Sequence, residues 1–332
     1  MSVQTFNYEK AIAEELQNNG ALVDYYDERP SNSIFSKGII RLKKSLLNKK
    51  INEYYERILR DIQDKEYDFL FVIKGEVVPV FFLEKFKLLN PNCYCIFYTW
   101  DSFKNYQNPK VILPFFDKSF TFDSDDAKEY NLFFRPLFYL NAYEEVRKEK
   151  HVPTKYDLLF LGTAHSDRYI ISNTLSNWCL DNNLTSFAYY YMQGKLVFLF
   201  KKLFDKSFQG FDKTKISFKS LTLVDIVELY KKSNVILDIH HPEQKGLTMR
   251  TFETLGAGKK IISTNNEIKK YSFYNEKNIF LIDRNKPKIN KDFFETKYEE
   301  LSSEYLEAMA IKGWLTTLFV ESKPDFWIKG LK

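Results

Sequence analysis

Cysteine is scarce in this chain of 332 residues, with only Cys93, Cys95 and Cys179. So small and odd a set excludes a disulfide framework. No second Cys or His pair stands at ligand spacing, so no metal site is expected. Histidine is almost as rare, at 151, 165, 240 and 241, which excludes a histidine base from everything before residue 151. No apolar run approaches the ~20 residues of a membrane-spanning helix, and no basic segment followed by an apolar stretch opens the sequence. The expected location is the cytoplasm, with the inner face of a membrane within reach.

What the sequence has in abundance is aromatic side chains, 17% of the total, and these fall mostly in strand-like runs that would fill cores. The net charge of +5 is unevenly spread. Residues 31–52 contain no acid, and Lys37, Arg41, Lys43, Lys44, Lys49 and Lys50 interleave there with apolar residues. Such a segment suits an anionic membrane surface or a phosphate-bearing acceptor, and equally an ordinary solvated helix face. Residues 194–208, GKLVFLFKKLFDKSF, repeat the pattern, with Leu196, Leu199, Phe200 and Leu203 on one helical face and Lys195, Lys201, Lys202 and Lys206 nearby. The unbroken apolar run 196–200 fits a buried segment as well. Nucleic acid is not an expected partner: 44 acids offset 49 bases, and neither zinc-finger spacing nor an RNA-binding aromatic motif occurs.

Two series of alternating strands and helices predict an α/β protein with parallel sheets and two domains. In the first, residues 7–19 read as a helix stopped at Gly20, 21–26 as a strand, 52–65 as a helix, 67–76 as a strand, and PVFFLEKFKLLN as a helix. CYCIFYTWD then reads as a strand, ILPFFDKSFTFD as a helix and strand, and DSDDAKEY as a capped helix. A sheet of this kind would open with a strand, and only residues 2–5 are available for one, so that strand is very short or the start is truncated. The expected division is a first domain over 1–142, a charged linker over 143–155, a second domain over 156–310 and a terminal helix over 311–332 packing back on the first.

The second series carries the motifs. YDLLFLGTAHSDRYIIS reads as a strand, a loop at 162–167 and a helix from Arg168. Residues 235–265 read as strand, loop, helix, Gly turn and strand, a βαβ unit whose helix holds Arg250 and Glu253. Ligands of such units sit at strand carboxyl ends, where the helix N-terminus offers unpaired N–H groups to an anion. Gly246, Leu247 and Thr248 occupy that spot. Arg250 fits a phosphate and Glu253 a sugar or ribose hydroxyl, although the pair at i,i+3 also fits a plain surface ion pair. FDSDD at 122–126 reads as a helix N-cap rather than a metal motif.

The stretch HHPEQKGLTMRTFETLGAGKKIISTN resembles the donor-binding segment of GT-B-fold glycosyltransferases, especially the CgeB-like and capsule- or lipopolysaccharide-locus enzymes. FLGTAHSDR resembles the first strand and loop of the same nucleotide domain. The resemblance implies two Rossmann-like domains facing a cleft, C-terminal helices crossing back to the first, and a nucleotide-sugar donor held in the second. It implies donor contacts from Gly162, Thr163, His165, Arg168, His240, His241, Glu243, Lys245, Gly246, Leu247, Thr248, Arg250 and Glu253, the last on the ribose. Many retaining members carry an acid eight positions before that glutamate; here Lys245 stands there, with Glu243 two residues away.

Glycosyl transfer needs positive charge for the leaving diphosphate and a base or aligning group for the acceptor hydroxyl. Arg168, Arg250, Lys245 and the amides at 246–248 suit the first role without a metal or other cofactor. Glu76 and Asp101, each at a strand end of the first domain, suit the second. The expected activity is hexosyl transfer, retention favoured, to a glycan or lipid-linked acceptor in bacterial surface polysaccharide synthesis, with peripheral contact to an anionic membrane. The alternatives are a non-catalytic sugar-nucleotide binding protein and a membrane-associated assembly protein.

Overall fold

The computed structural model describes residues 1–33, 44–104, 108–149, 152–164, 167–205, 208, 211–321 and 325–330. Lys37, Arg41, Lys43, His165, Lys206 and the side chain of Lys44 lie outside them. The chain forms two compact units, one of Met1–Pro136 with Ile311–Lys332 and one of Leu137–Ala310.

Unit 1 contains α1 (Tyr8–Asn18), α2 (Asn48–Asp61), β1 (Phe69–Ile73), α3 (Val80–Leu89), β2 (Tyr94–Thr99), α4 (Asn108–Ile112), β3 (Lys118–Thr121), α5 (Ser124–Tyr130) and β4 (Phe133–Phe134). The four strands form a parallel sheet in the order β1-β2-β3-β4. Both faces are covered, which is why β1 and β2 are apolar at consecutive positions rather than alternately. Leu70, Val72, Cys95 and Phe97 turn to a core with Tyr55, Phe82 and Phe86 of α2 and α3. Phe71 and Tyr98 turn the other way, onto Trp314 of the helix Ile311–Phe319, with ring centroids 5.9 and 4.8 Å away.

The opening strand shrinks to one residue. Ser2 bridges both Ile73 and Asp27, and the Ile73 amide donates to the Met1 carbonyl at 2.9 Å. Residues 21–26, expected as a strand, run without regular structure up to the bridge at Asp27. Leu22 there is fully exposed, so the segment buries no apolar row that would hold it in a sheet.

Unit 2 contains α6 (Asn141–Lys148), β5 (Tyr156–Thr163), α7 (Arg168–Asp181), β6 (Ser186–Tyr191), α8 (Lys195–Phe204), β7 (Ile216–Ser217), α9 (Leu223–Lys231), β8 (Ser233–Asp238), α10 (Met249–Gly256), β9 (Lys260–Ser263), β10 (Ile279–Leu281), α11 (Lys291–Glu295) and α12 (Ser303–Met309). Its six-stranded parallel sheet has the order β7-β6-β5-β8-β9-β10. The chain thus builds outward from β5 on one side, returns to β8 on the other, and leaves a crevice beyond the carboxyl ends of these two strands.

Part of the stretch expected as a linker is helix: α6 buries Tyr143 and Val146, three residues apart on one face. The end of α10 uses its two glycines differently. A side chain at Gly256 would meet the Tyr139 ring at 2.4 Å, whereas Gly258 takes the left-handed φ of 63° that turns the chain into β9. Lys260 begins β9 and is buried, its Nζ donating to Thr296 Oγ1 at 2.6 Å and to the Phe293 carbonyl.

Candidate functional site

Strand order in unit 2 brings the loops after β5 and β8 to the same crevice. Thr163 ends β5 and Arg168 opens α7. The Arg168 guanidinium donates through NH1 to Thr163 Oγ1 at 2.9 Å and through Nε to the Ile239 carbonyl, just past β8, at 3.0 Å. One side chain therefore ties the two loops together. Burial lowers the Arg168 pKa to about 10; Asp238 opposes that shift, and the neighbouring Arg250 and Arg284 add to it. Arg250 and Arg284 thus both lie within electrostatic reach of Arg168.

Arg250 sits in the first turn of α10 and donates to the Tyr230 hydroxyl at 3.3 Å. Burial works against its charge, and Tyr230, Glu253, Tyr143 and Asp238 more than compensate, so it stays cationic. Arg284 follows β10 and holds Asp167 through NH1 at 2.6 and 2.7 Å, while its NH2 donates to the His240 carbonyl at 2.5 Å. NH2 also lies 3.2 Å from His240 Nδ1, which is 2.7 Å from Thr264 Oγ1. A guanidinium only donates, so Nδ1 accepts and the ring proton sits on Nε2. Burial, followed by Arg284, pushes the His240 pKa down to about 4, and the imidazole is neutral at physiological pH.

Both helices that start at the crevice carry N-cap residues of capping type that do not cap. Asp167 precedes α7 with its carboxylate committed to Arg284. Thr248 precedes α10 with its hydroxyl donated to Asp238 Oδ2 at 2.7 Å, where Thr251 Oγ1 also donates at 2.8 Å. The first-turn amides of two helices are thereby left without side-chain caps, and such amides favour an anion.

The residues expected in the donor site separate into three groups. Gly162 and Thr163, expected on a loop over 162–167, are the last two residues of β5, and Arg168, His240, Gly246, Leu247, Thr248 and Arg250 lie on the two loops or at the helix starts. Glu243 and Lys245 lie on the exposed side of the loop after β8, with the Glu243 amide donating to His241 Nδ1 at 3.3 Å. Glu253 is 4% exposed, inside α10. Gly162 has a packing reason of its own, because a Cβ there would stand 2.7 Å from the Phe160 ring. Sequence reasoning missed Asp167, Tyr230, Asp238, Thr264 and Arg284. Asp238 and Arg284 had a readable signal, since each ends or closely follows a strand at this edge.

In unit 1 the strand ends gather a second charged group. Lys74 and Gly75 after β1 both have positive φ, 84° and 68°. This turn is held by Asn108 Nδ2, which donates to the Gly75 and Val78 carbonyls at 2.7 and 3.0 Å. Lys74 Nζ then lies 3.4 Å from Asp101 and 3.8 Å from Glu76. Glu76 accepts from Arg29 Nε at 2.9 Å and from its NH2, and its side chain is 2% exposed, against 28% for Asp101. Glu28 is fully buried and accepts from the Gly75 and Val77 amides at 2.9 and 2.7 Å; burial raises its pKa to about 7. Glu28, Arg29 and Lys74 were not anticipated from sequence.

Asp123 caps α5 by accepting from the Asp125 and Asp126 amides. Among the described residues, no group of three or more His, Cys, Asp or Glu is placed to hold a metal ion, and no helix is long and apolar enough to cross a membrane.

No family model and no curated protein matches the sequence. Solved structures similar to it include an alpha-glucosyltransferase in complex with UDP and a 13-mer DNA, at TM-score 0.49 and 12% identity, covering 82% of this chain and 80% of that one. A glycosyltransferase from Rickettsia africae has TM-score 0.42 and 14% identity, covering 93% and 83%. Anabaena HepE, in complex with UDP and glucose, has TM-score 0.44 and 10% identity, covering 92% and 84%. At these scores the functional reading rests on the residues of the site itself.

Proposed function

We propose that the crevice beyond β5 and β8 binds the diphosphate of a nucleotide-activated sugar, and that the protein is a GT-B-type glycosyltransferase. The observation that carries this reading is the convergence of Arg168, Arg250 and Arg284 with two helix N-termini whose capping side chains are engaged elsewhere. Departure of a nucleoside diphosphate builds negative charge on its phosphates, and fixed donors in a partly buried crevice stabilise that charge as it forms. Guanidiniums and helix amides supply the positive potential, so the reading needs no metal. Glu253 is the proposed ribose contact, on the resemblance of FETLGAGKKII to donor-binding segments.

Asp101 is the proposed acceptor-side base. It is the more exposed of the two candidate carboxylates, and Lys74 Nζ lies 3.4 Å from it. Glu76, enclosed by Arg29 and Lys74, is assigned instead to holding the turn after β1. The proposed acceptor is a glycan or lipid-linked saccharide of a bacterial surface polysaccharide, as the resemblance to capsule- and lipopolysaccharide-locus enzymes implies.

Incubation with UDP-, GDP-, ADP- and dTDP-sugars, with release of the nucleoside diphosphate as the readout, tests the reading. One donor class is expected to be turned over, and Arg250→Ala to slow it by about 10- to 100-fold, the worth of one charge-assisted hydrogen bond. Equal rates for wild type and Arg250→Ala with every donor would overturn it.

A further inference from the structure

Helix α8 is oriented opposite to the usual arrangement of an amphipathic helix. Leu196, Leu199, Phe200, Leu203 and Phe204, spaced i, i+3, i+4, i+7 and i+8, form one stripe, and each is between 55% and 83% exposed. The helix is held to unit 2 by a different face: Val197 and Phe198 pack against the core, and Lys201 Nζ lies 4.9 Å from the centre of the Phe208 ring. No residue of α8 is fully buried. Five large apolar side chains in one row exceed the scattered exposure that surfaces ordinarily show.

The charge around the stripe identifies what covers it. At 100° per residue, Lys195 and Lys202 border the stripe on one side, and α8 itself contains no acid. Lys213 comes close enough to Lys202 to contribute to its lowered proton affinity, after desolvation. The nearest acids in sequence, Asp205 and Asp212, flank the helix rather than lie in it. Protein-binding patches are depleted in lysine at their centres, whereas helices that lie in a lipid interface combine a Leu/Phe face with flanking lysines whose stems reach to the headgroups.

We propose that α8 is an interfacial anchor that inserts its Leu/Phe stripe into an anionic lipid surface. The basic segment 37–50 was the first candidate for that role by composition. Lys49 and Lys50 of that segment are exposed on α2, which turns its apolar Ile51, Tyr55, Ile58 and Leu59 inward and so offers charge without an exposed apolar row. The proposal is independent of the donor-site reading.

Co-sedimentation of the full chain with phosphatidylcholine vesicles, with and without about a third phosphatidylglycerol, tests it. The wild type is expected to bind the anionic vesicles at least ~10-fold more strongly than the neutral ones, and less strongly as salt rises. A Leu199→Ser, Phe200→Ser, Leu203→Ser variant is expected to lose at least ~10-fold of that binding, and Lys195→Glu with Lys202→Glu to remove the preference for anionic lipid. Unchanged melting curves and circular-dichroism spectra would show that both variants are folded. Vesicle binding by the triple serine variant equal to wild type would overturn the proposal. So would a wild type that ignores vesicles but runs as a dimer that the serine variant dissociates, which would make a second copy the occupant.

Discussion

Arg284 closes on Asp167 across 117 residues of sequence, with NH1 at 2.6 and 2.7 Å from the two carboxylate oxygens. This pair takes the residue that would cap α7 and uses it to hold a third cation in the crevice after β5 and β8. Replacing Arg284 with Ala would let Asp167 turn back onto the α7 amides and compete with any bound anion. Nucleoside diphosphate affinity is expected to fall by about 10- to 100-fold, with the nucleoside itself bound as before. Calorimetric titration with both ligands checks this, and equal losses for both would contradict it.

The half-buried imidazole of His240 ties stability to pH. Its folded pKa, about 4, is below the unfolded value of 6.5. The unfolded chain therefore takes up the proton first as pH falls, and the stabilisation present above pH 6.5 is lost progressively down to about pH 4. Glu28 acts in the opposite sense, because its pKa is raised from 4.5 to about 7 and its contribution is lost as pH rises through that range. The informative quantity is therefore the difference between wild type and His240→Asn in urea melts. That difference should grow from pH 4 to 6.5; a constant difference would contradict the assignment.

Gly162 offers a test of packing against ligand approach. Gly162→Ala should cost about 1–3 kcal/mol by pressing on the Phe160 ring. Adding Phe160→Leu should recover part of that loss. If the double variant regains stability and still binds nucleotide, the glycine serves the core. Loss of binding in a stable double variant would place the phosphates against this backbone.

The two carboxylates of unit 1 should separate cleanly. Glu76→Ala strands Arg29 in a buried setting and is expected to destabilise by about 3–5 kcal/mol. Asp101→Asn should cost under about 1 kcal/mol, leave nucleotide binding intact and cut transfer by at least ~100-fold. Thermal unfolding beside a transfer assay reads both, and an active Asp101→Asn enzyme would remove Asp101 from the base role.

The sequence revealed much of the sheets because buried parallel strands read as continuous apolar runs: CYCIFYTWD contains β2, and the run from Val235 contains most of β8. The βαβ unit through Arg250 was legible for the same reason, with Gly258 marking its turn. Charge density misled at EEVRKEK, where Tyr143 and Val146 outweigh the charges by anchoring a helix. Strand propensity misled at 21–26, where nothing covers Leu22. Arg168 and Arg250 stood beside recognisable turns, whereas Arg284 lies 34 residues beyond Arg250, and its one readable signal was its place just after the strand that became β10. Glu28 was invisible because its partners are backbone amides 47 and 49 residues away.

The central claim is that the crevice beyond β5 and β8 is a diphosphate site. Calorimetric titration of wild type, Arg250→Ala and Arg284→Ala with UDP, GDP, ADP and dTDP and the matching monophosphates tests it most directly. The account predicts one diphosphate bound at least ~10-fold more tightly than its monophosphate, with each substitution narrowing that gap by about 10-fold. A folded wild type that binds no diphosphate, or binds one with an affinity that neither substitution changes, would contradict it.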